Sequence, residues 1–146
     1  MIIQEQLITA ENWSKLSIDN LKNIVIDFGK IDTNLRSDFS SDAKCAYVEL
    51  LILLDDKIKF LTDLHQTVDC ICKNGKLYDA QSKSRINCIV ENSVSDIEES
   101  INVCKDILDS PPELLQQELC RGCSKLVSTQ QTFQNNRENL HFFILA

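Results

Sequence analysis

Apolar residues recur at three- and four-residue spacing over long stretches of the chain, which is the periodicity of one helical face. The first stretch runs from Ser17, a residue type that caps helix starts, to Leu35. Just before it, residues 9–13 are expected to add a short turn in which Trp13 packs over the bundle. A second helix is predicted over residues 43–72, with its cap at Ser40.

The second half of the chain begins with a turn. Asn74-Gly75 suits the left-handed cap that ends a helix, and residues 76–82 form the most loop-like segment. A third helix is predicted over residues 84–109, with a polar middle at residues 91–96 where it could kink. Pro111-Pro112 ends that helix and starts the next one, because proline is tolerated in a first helical turn.

A fourth helix is predicted from Leu115 to Leu140, weakened at Gly122 and at the polar residues 134–136. The apolar tail, residues 141–146, either packs on the bundle or forms an exposed adhesive surface. The chain has 146 residues but only three glycines and two prolines, too few for the turns of a sheet-rich domain. Short connections between long helices favour antiparallel neighbours. We therefore predict one all-α domain over residues 1–146, an antiparallel bundle of about four long helices stapled by disulfides.

The chain is acidic, with 22 aspartates and glutamates against 15 lysines and arginines and a formal charge of −7. A nucleic-acid-binding protein needs a basic surface to displace counterions from phosphates, and anionic membranes attract basic segments. The positive residues are scattered, and the apolar tail is far shorter than the ~20 residues that span a bilayer. We therefore expect neither a nucleic-acid nor a membrane partner, whereas a basic protein partner is compatible with the charge.

Seven cysteines are more than a reducing cytosol usually retains, unless they bind metal or react. Asn12-Trp13-Ser14 also matches the acceptor pattern for N-glycosylation. The residues from Met1 to Gln6 lack the basic start and apolar core of a signal peptide. We therefore interpret Met1 as a start residue placed on a mature secreted chain. The alternative is a cytosolic protein rich in thiols.

In an antiparallel bundle the cysteines sort by the end at which they lie, four at one end and three at the other. Only cysteines at the same end can reach the ~4.4–6.8 Å between Cα atoms that a disulfide requires. One bridge is expected from Cys88 to either Cys70 or Cys72, and the remaining thiol is free or links two chains in a homodimer. Two further bridges are expected within the group of four, which is Cys45, Cys104, Cys120 and Cys123.

No arrangement of residues predicts catalysis. Cys120 and Cys123 have the spacing of a redox dithiol, but no strand precedes them and both are expected inside a helix. A structural zinc site usually has two close ligand pairs, and the group of four supplies only one. The two histidines, His65 and His141, fall in a long helix and in the apolar tail. We therefore predict a non-enzymatic protein with no catalytic residue, metal or cofactor.

The loop after the second helix supplies the candidate partner-binding residues Lys76, Leu77, Tyr78 and Asp79. Leu77 and Tyr78 are apolar within a turn-like segment, and tyrosine is favoured as an interface anchor. The alternative is that Tyr78 packs down and closes the end of the bundle, since aromatic side chains tend to be buried.

An acidic single domain with long helices, several cysteines and no catalytic residues resembles small secreted proteins in the saliva of blood-feeding insects, in particular the anophensin-like salivary proteins of mosquitoes. The resemblance covers the general organisation of the chain and is carried by Cys45, Cys88, Cys104, Cys120 and Cys123 on a helical pattern. It implies a non-enzymatic antagonist that occupies the surface of a host plasma protein. No functional residue is transferred from that family.

Three functions are compatible with these features. The leading one is a secreted inhibitor of a host protease cascade, complement or coagulation and contact activation, that acts by protein–protein contact. The second is a carrier of a hydrophobic small molecule held between the helices. The third is a structural or oligomerising protein that uses the odd cysteine and the apolar tail.

Overall fold

The computed structural model describes the backbone of residues 3–145 and the side chains of residues 6–145, so Met1 lies outside the described residues. Over this range the protein is all-α, as predicted, but it has six helices instead of about four. Two 3₁₀ turns, Gly75–Leu77 and Pro112–Leu114, join them in the second half. The helices are α1 Ile3–Gly29, α2 Thr33–Ser37, α3 Ser41–Lys73, α4 Ala80–Asp109, α5 Leu115–Ser128 and α6 Gln130–Leu145.

Four helical columns form the bundle, because α5 and α6 follow one another as a single column. α1 packs beside α3 and α4, and the α5–α6 column packs beside the same two helices. α1 and α3 are antiparallel, since Ser14 contacts His65 while Phe28 contacts Tyr47. α3 and α4 contact each other much less and therefore occupy opposite corners, although only a short connection joins them. The prediction that a short connection places two helices side by side is therefore wrong for α3 and α4.

The first helix begins well before Ser17, which corrects the predicted start. Ser14 and Ser17 are both buried, at 0% and 4% exposure, and Leu7 and Ala10 continue the same inward face upstream. Two serines at core-facing positions interrupt the apolar periodicity, so the pattern suggested a helix start where the helix continues. Residues 9–13 are accordingly part of α1 instead of a separate turn.

The third long helix also starts earlier than predicted. Asp79 caps α4 by accepting a hydrogen bond of 2.7 Å from the Ser82 backbone N–H. Asn74 and Gly75 are not left-handed, since the chain passes directly from α3 into a 3₁₀ turn. α4 runs unbroken through its polar middle, where the buried Ser93 hydroxyl donates to the Ile89 carbonyl at 2.7 Å.

The fourth column breaks at Thr129, and not at Gly122 or residues 134–136 as the sequence suggested. Gly122 is buried against α4, and a Cβ atom there would lie 2.5 Å from Ile107 Cδ1 and 3.1 Å from Val103 Cγ1. Its lack of a side chain therefore lets α5 approach α4 closely. The glycine serves helix packing instead of helix termination.

A charged pair crosses the centre of the bundle. Lys57 of α3 is fully buried, and its ammonium lies 2.7 Å from a carboxylate oxygen of Asp96 on α4. The same ammonium lies 4.4 Å from the centroid of the Phe133 ring on α6. The Thr129 hydroxyl lies 3.4 Å from the other Asp96 oxygen. The pair therefore links α3 to α4, and Thr129 connects it to the junction between α5 and α6.

The predicted disulfides are not present. All seven cysteines lie within the described residues, and all are free thiols there. The predicted grouping by end has a counterpart, because Cys45, Cys120 and Cys123 line one groove between α3 and α5. Cys104 lies in the core, on the helix against which this part of α5 packs.

Helix register explains why the cysteines do not pair. Cys104 is fully buried, whereas Cys45 is exposed in the groove between α3 and α5. Cys70 and Cys72 face different neighbours, since the Cys70 sulfur lies 3.6 Å from the Tyr78 hydroxyl while Cys72 interacts with Glu11 of α1. The sequence located the ends at which cysteines lie, but not the directions in which their side chains point.

Thiol titration tests whether all seven cysteines are free. The unfolded chain, without reductant, is expected to show seven reactive thiols. In the folded protein the exposed Cys45, Cys70 and Cys88 should react rapidly with a thiol reagent. Cys104 should stay unreactive until unfolding, because burial raises its pKa to about 12. A Cys88→Ser control should lose one thiol in both states. A total of five thiols or fewer in the unfolded chain would restore the disulfide prediction.

Candidate functional site

An open groove of about 710 Å³ lies at the end of the bundle where α3 and α6 finish and α4 begins. We call it the end groove. It arises because α3 and α4 stand at opposite corners, so that the last turns of α6 close only part of the space between them. Its walls are formed by Asp63, Gln66, Thr67, Cys70, Tyr78, Ser82, Arg85, Phe143 and Ile144.

Tyr78 is fixed at the rim of the end groove. Its ring is half-buried, and its hydroxyl lies 3.6 Å from the Cys70 sulfur. The pKa of Tyr78 is raised, first by this hydrogen bond to Cys70 and then by burial. The phenol is therefore a neutral group that presents a ring and a hydroxyl to the groove.

Arg85 supplies the positive charge of the end groove. It is exposed, and its guanidinium carbon lies 5.6 Å from the centroid of the Phe143 ring. The charge of Arg85 also acts on Asp79. The pKa of Asp79 is lowered, chiefly by hydrogen bonds to Ser82 and in smaller part by the charge of Arg85. Stacking on Phe143 limits the positions that the guanidinium can take.

Exposed apolar side chains are concentrated beside this groove. Leu77 is 81% exposed, Phe142 64%, Leu145 69% and Ile144 50%. Phe142 and Leu145 are three residues apart in α6 and so share one helical face. Single exposed apolar residues are ordinary, but several at one place are typical of an interaction surface.

The four residues singled out from the sequence therefore have different environments. Lys76 and Leu77 are exposed, Tyr78 lines the end groove, and the Asp79 carboxylate is engaged in capping α4. In the apolar tail, Phe143 packs against the core while Phe142 is exposed, and Ala146 lies outside the described residues.

Sequence reasoning missed the groove residues that lie inside long helices. Thr67, Ser82 and Arg85 belong to regular helical stretches, where a single polar or charged residue is usually solvated. Only the diagonal arrangement of α3 and α4 brings them together with the tail. The hydrophobic pattern identifies the inward face of each helix, but not which helices are neighbours.

A second cluster of chemically active side chains lies at the contact between α1 and α3. The Ser14 hydroxyl donates to the Glu11 carbonyl at 2.9 Å and lies 3.0 Å from His65 Nδ1. The same Nδ1 lies 3.1 Å from that carbonyl oxygen, which can only accept, so Nδ1 carries a hydrogen. With a hydrogen on Nδ1, His65 cannot accept the Ser14 proton through that atom and does not act as its base. This cluster stabilises the helix contact and lacks an activated nucleophile.

Two carboxyl groups meet in the same cluster. The pKa of Glu11 is raised, first by a hydrogen bond to Asp69 and then by burial. The pKa of Asp69 is lowered, first by its hydrogen bond to Lys73 and then by the bond to Glu11. At this contact Asp69 is thus the ionised partner, and Glu11 binds its proton more tightly than an isolated glutamate does.

The groove between α3 and α5 contains three thiols, and one of them, Cys123, lies in an environment that disfavours its thiolate. Burial raises the pKa of Cys123, and the charges of Glu49 and Cys120 add to this effect. Cys120 and Cys123 lie within α5, without the preceding strand of a redox dithiol. Within the described residues no group of three or more potential ligands is arranged to hold a metal ion.

None of the described helices is long and apolar enough to cross a membrane. The chain matches no protein-family model, no curated protein and no solved structure.

The carboxyl pair predicts how stability depends on pH. Because the folded-state pKa of Glu11 is raised, its contact with Asp69 is most favourable at low pH and weakens as pH rises through that pKa. Glu11→Gln keeps a hydrogen-bonding group without the second negative charge. The variant should therefore unfold at a higher denaturant concentration than wild type at pH 7, and this advantage should disappear in acid.

The control is Glu98→Gln, which removes an exposed carboxylate from α4. Asp69 acts in the opposite sense, since its lowered pKa gives a stabilisation that is lost as pH falls. Denaturation midpoints measured from pH 3 to pH 8 separate the two effects. A midpoint for Glu11→Gln below that of wild type at pH 7 would contradict the hydrogen bond in which Glu11 donates its proton to Asp69.

Proposed function

We propose that this chain is a secreted, non-enzymatic binding protein that inhibits a host protease cascade, complement or coagulation and contact activation, by occupying a protein surface. The observation that carries the binding part is the concentration of exposed apolar side chains around the end groove. The choice of a cascade component as the partner rests on the resemblance to salivary proteins that are antagonists of host defence.

The composition of the end groove favours a protein partner. Binding hot spots are enriched in tyrosine and arginine, and interfaces in phenylalanine as well. Tyr78, Arg85 and Phe143 provide these types in one place, with Leu77 and Phe142 exposed at the margin. A partner that buries this margin would remove several apolar side chains from water, at roughly 25 cal/mol per Å² of apolar area.

The net charge adds a preference for the partner. A chain with a formal charge of −7 attracts a basic protein surface over distances of about one Debye length, ~8 Å at physiological ionic strength. Such attraction accelerates association more than it raises final affinity. We therefore expect association with the partner to slow as salt is added.

A carrier of a hydrophobic small molecule is the second candidate. The volume of the end groove, about 710 Å³, lies within the range of about 300–1,000 Å³ typical of ligand pockets. Its open shape and several polar walls suit an enclosed hydrophobic ligand less well. Native mass spectrometry of the purified protein distinguishes the two, because a carrier retains a bound molecule.

The binding surface is tested with two substitutions and a matched control. Phe142→Glu and Leu77→Glu each place a charge beside the end groove, and each should weaken capture of a plasma protein by at least about tenfold. Ile26→Glu is the control, because Ile26 is 57% exposed on α1 at the opposite end of the bundle. Retention from plasma on the immobilised chain, followed by titration of the retained protein, measures the effect.

Inhibition is measured in the same plasma as the rate of complement lysis and of contact activation. Wild type and Ile26→Glu should slow one of these reactions, and the two groove variants should not. Equal binding by all four proteins would exclude the end groove as the docking surface. Failure of wild type to retain a protein at physiological salt would contradict the proposed function itself.

A further inference from the structure

A very small cavity lies between α4 and α6, next to the charged pair at the centre of the bundle. Its volume is about 10 Å³, and the rings of Phe60 and Phe133 form its apolar walls. The polar walls include Asn92, Asp96 and Asn136. A cavity of about this volume, measured for water-sized probes, has room for a single water molecule.

Asn136 is a buried polar residue with half of its amide unpaired. It is 6% exposed, and its Nδ2 donates to the Ile89 carbonyl at 3.0 Å and to the Ser93 hydroxyl oxygen at 2.7 Å. The Ser93 hydroxyl in turn donates to Ile89, so it must accept from Asn136. These bonds fix the orientation of the amide, because an exchange of its oxygen and nitrogen would place Oδ1 against the Ile89 carbonyl oxygen, and both atoms can only accept.

The Oδ1 atom of Asn136 is the remaining polar atom of that side chain. It is buried, and no group among the described residues donates to it. Buried amide oxygens in folded proteins almost always accept at least one hydrogen bond from protein or ordered water. Asn136 is itself a wall of the small cavity, which is therefore a space where a donor for Oδ1 fits.

We propose that this cavity is a binding site for one structural water molecule. The water donates one hydrogen to Asn136 Oδ1 and the other to the carboxylate of Asp96. Thr132 also lines the cavity, and its hydroxyl is a third group that can donate to the water. Asp96 has acceptor capacity for this, since one oxygen faces Lys57 at 2.7 Å and the other has only the 3.4 Å contact with Thr129. A buried water usually makes two to four hydrogen bonds.

A cation is a poor occupant of the same site. The Lys57 ammonium already neutralises Asp96, and a second positive charge would lie close to it. Most other ligands are too large for a volume of about 10 Å³. Water has the size and the two donors that the walls require.

The bound water has a structural consequence for α6. It extends the network of Lys57 and Asp96 to Asn136, two turns beyond the break at Thr129. It thereby adds a water-mediated link to the two direct hydrogen bonds by which Asn136 holds α6 against α4. The site is independent of any partner at the end groove.

A crystal structure at a resolution that places ordered water tests the proposal directly. The wild-type map should show one isolated peak within hydrogen-bonding distance, about 2.7–3.2 Å, of Asn136 Oδ1. The Thr132→Val variant should keep this peak, because the other two partners remain. The Asn136→Leu variant should lose it, because the variant removes the unpaired oxygen.

The wild-type map decides the question even if a variant does not fold. An empty cavity would overturn the proposal, as would a protein group that donates to Asn136 Oδ1. A peak that persists in Asn136→Leu would overturn it too, since the water would then be held by other groups.

Discussion

The ion pair between Lys57 and Asp96 is the constraint on which the arrangement of the helices depends. A lysine that is fully buried has lost its hydration, and only a close carboxylate and a polar or aromatic surrounding offset that loss. Buried ion pairs often add little net stability compared with apolar packing, but they strongly disfavour arrangements in which one charge has no partner. Here the two charges belong to α3 and α4, which stand at opposite corners and otherwise touch little. The pair therefore fixes how these two helices align along their length.

The other polar features of the interior continue from that pair. Thr129 faces Asp96, and the Phe133 ring faces the Lys57 ammonium. Asn136, one turn beyond Phe133 in α6, donates to the α4 backbone. The break between α5 and α6 thus lies beside the buried charges, where the Thr129 hydroxyl meets Asp96. Beyond it, α6 runs towards the end of the bundle and places Phe143 against Arg85. The end groove exists because α6 fills only part of the space between α3 and α4. The placement of these two helices at opposite corners therefore underlies both the interior network and the proposed docking surface.

The sequence predicted what depends on local periodicity and missed what depends on the positions of neighbours. The cap at Ser40 and the continuous face from Leu50 to Val68 are local, and both are present. Ser17 was misread as a helix start because small polar residues can occupy a core face when a neighbouring helix approaches closely. The disulfides failed for a related reason, since two cysteines at one end pair only if their helices turn them towards each other. Of the candidate surface, Leu77 and Tyr78 were found from their position in a loop, whereas Arg85 became visible only with the helix arrangement.

A double-mutant cycle on Lys57 and Asp96 is the most direct measurement of the central claim. Lys57→Met alone should lower the free energy of unfolding by about 3–5 kcal/mol, because it leaves Asp96 buried without its partner. Adding Asp96→Leu to it should restore much of that loss, with a coupling energy of at least about 2 kcal/mol. The exposed pair of Lys59 and Asp55, on the same helix, should show a coupling of less than about 1 kcal/mol. If the effects of Lys57→Met and Asp96→Leu simply add, the buried pair does not set the alignment of the bundle.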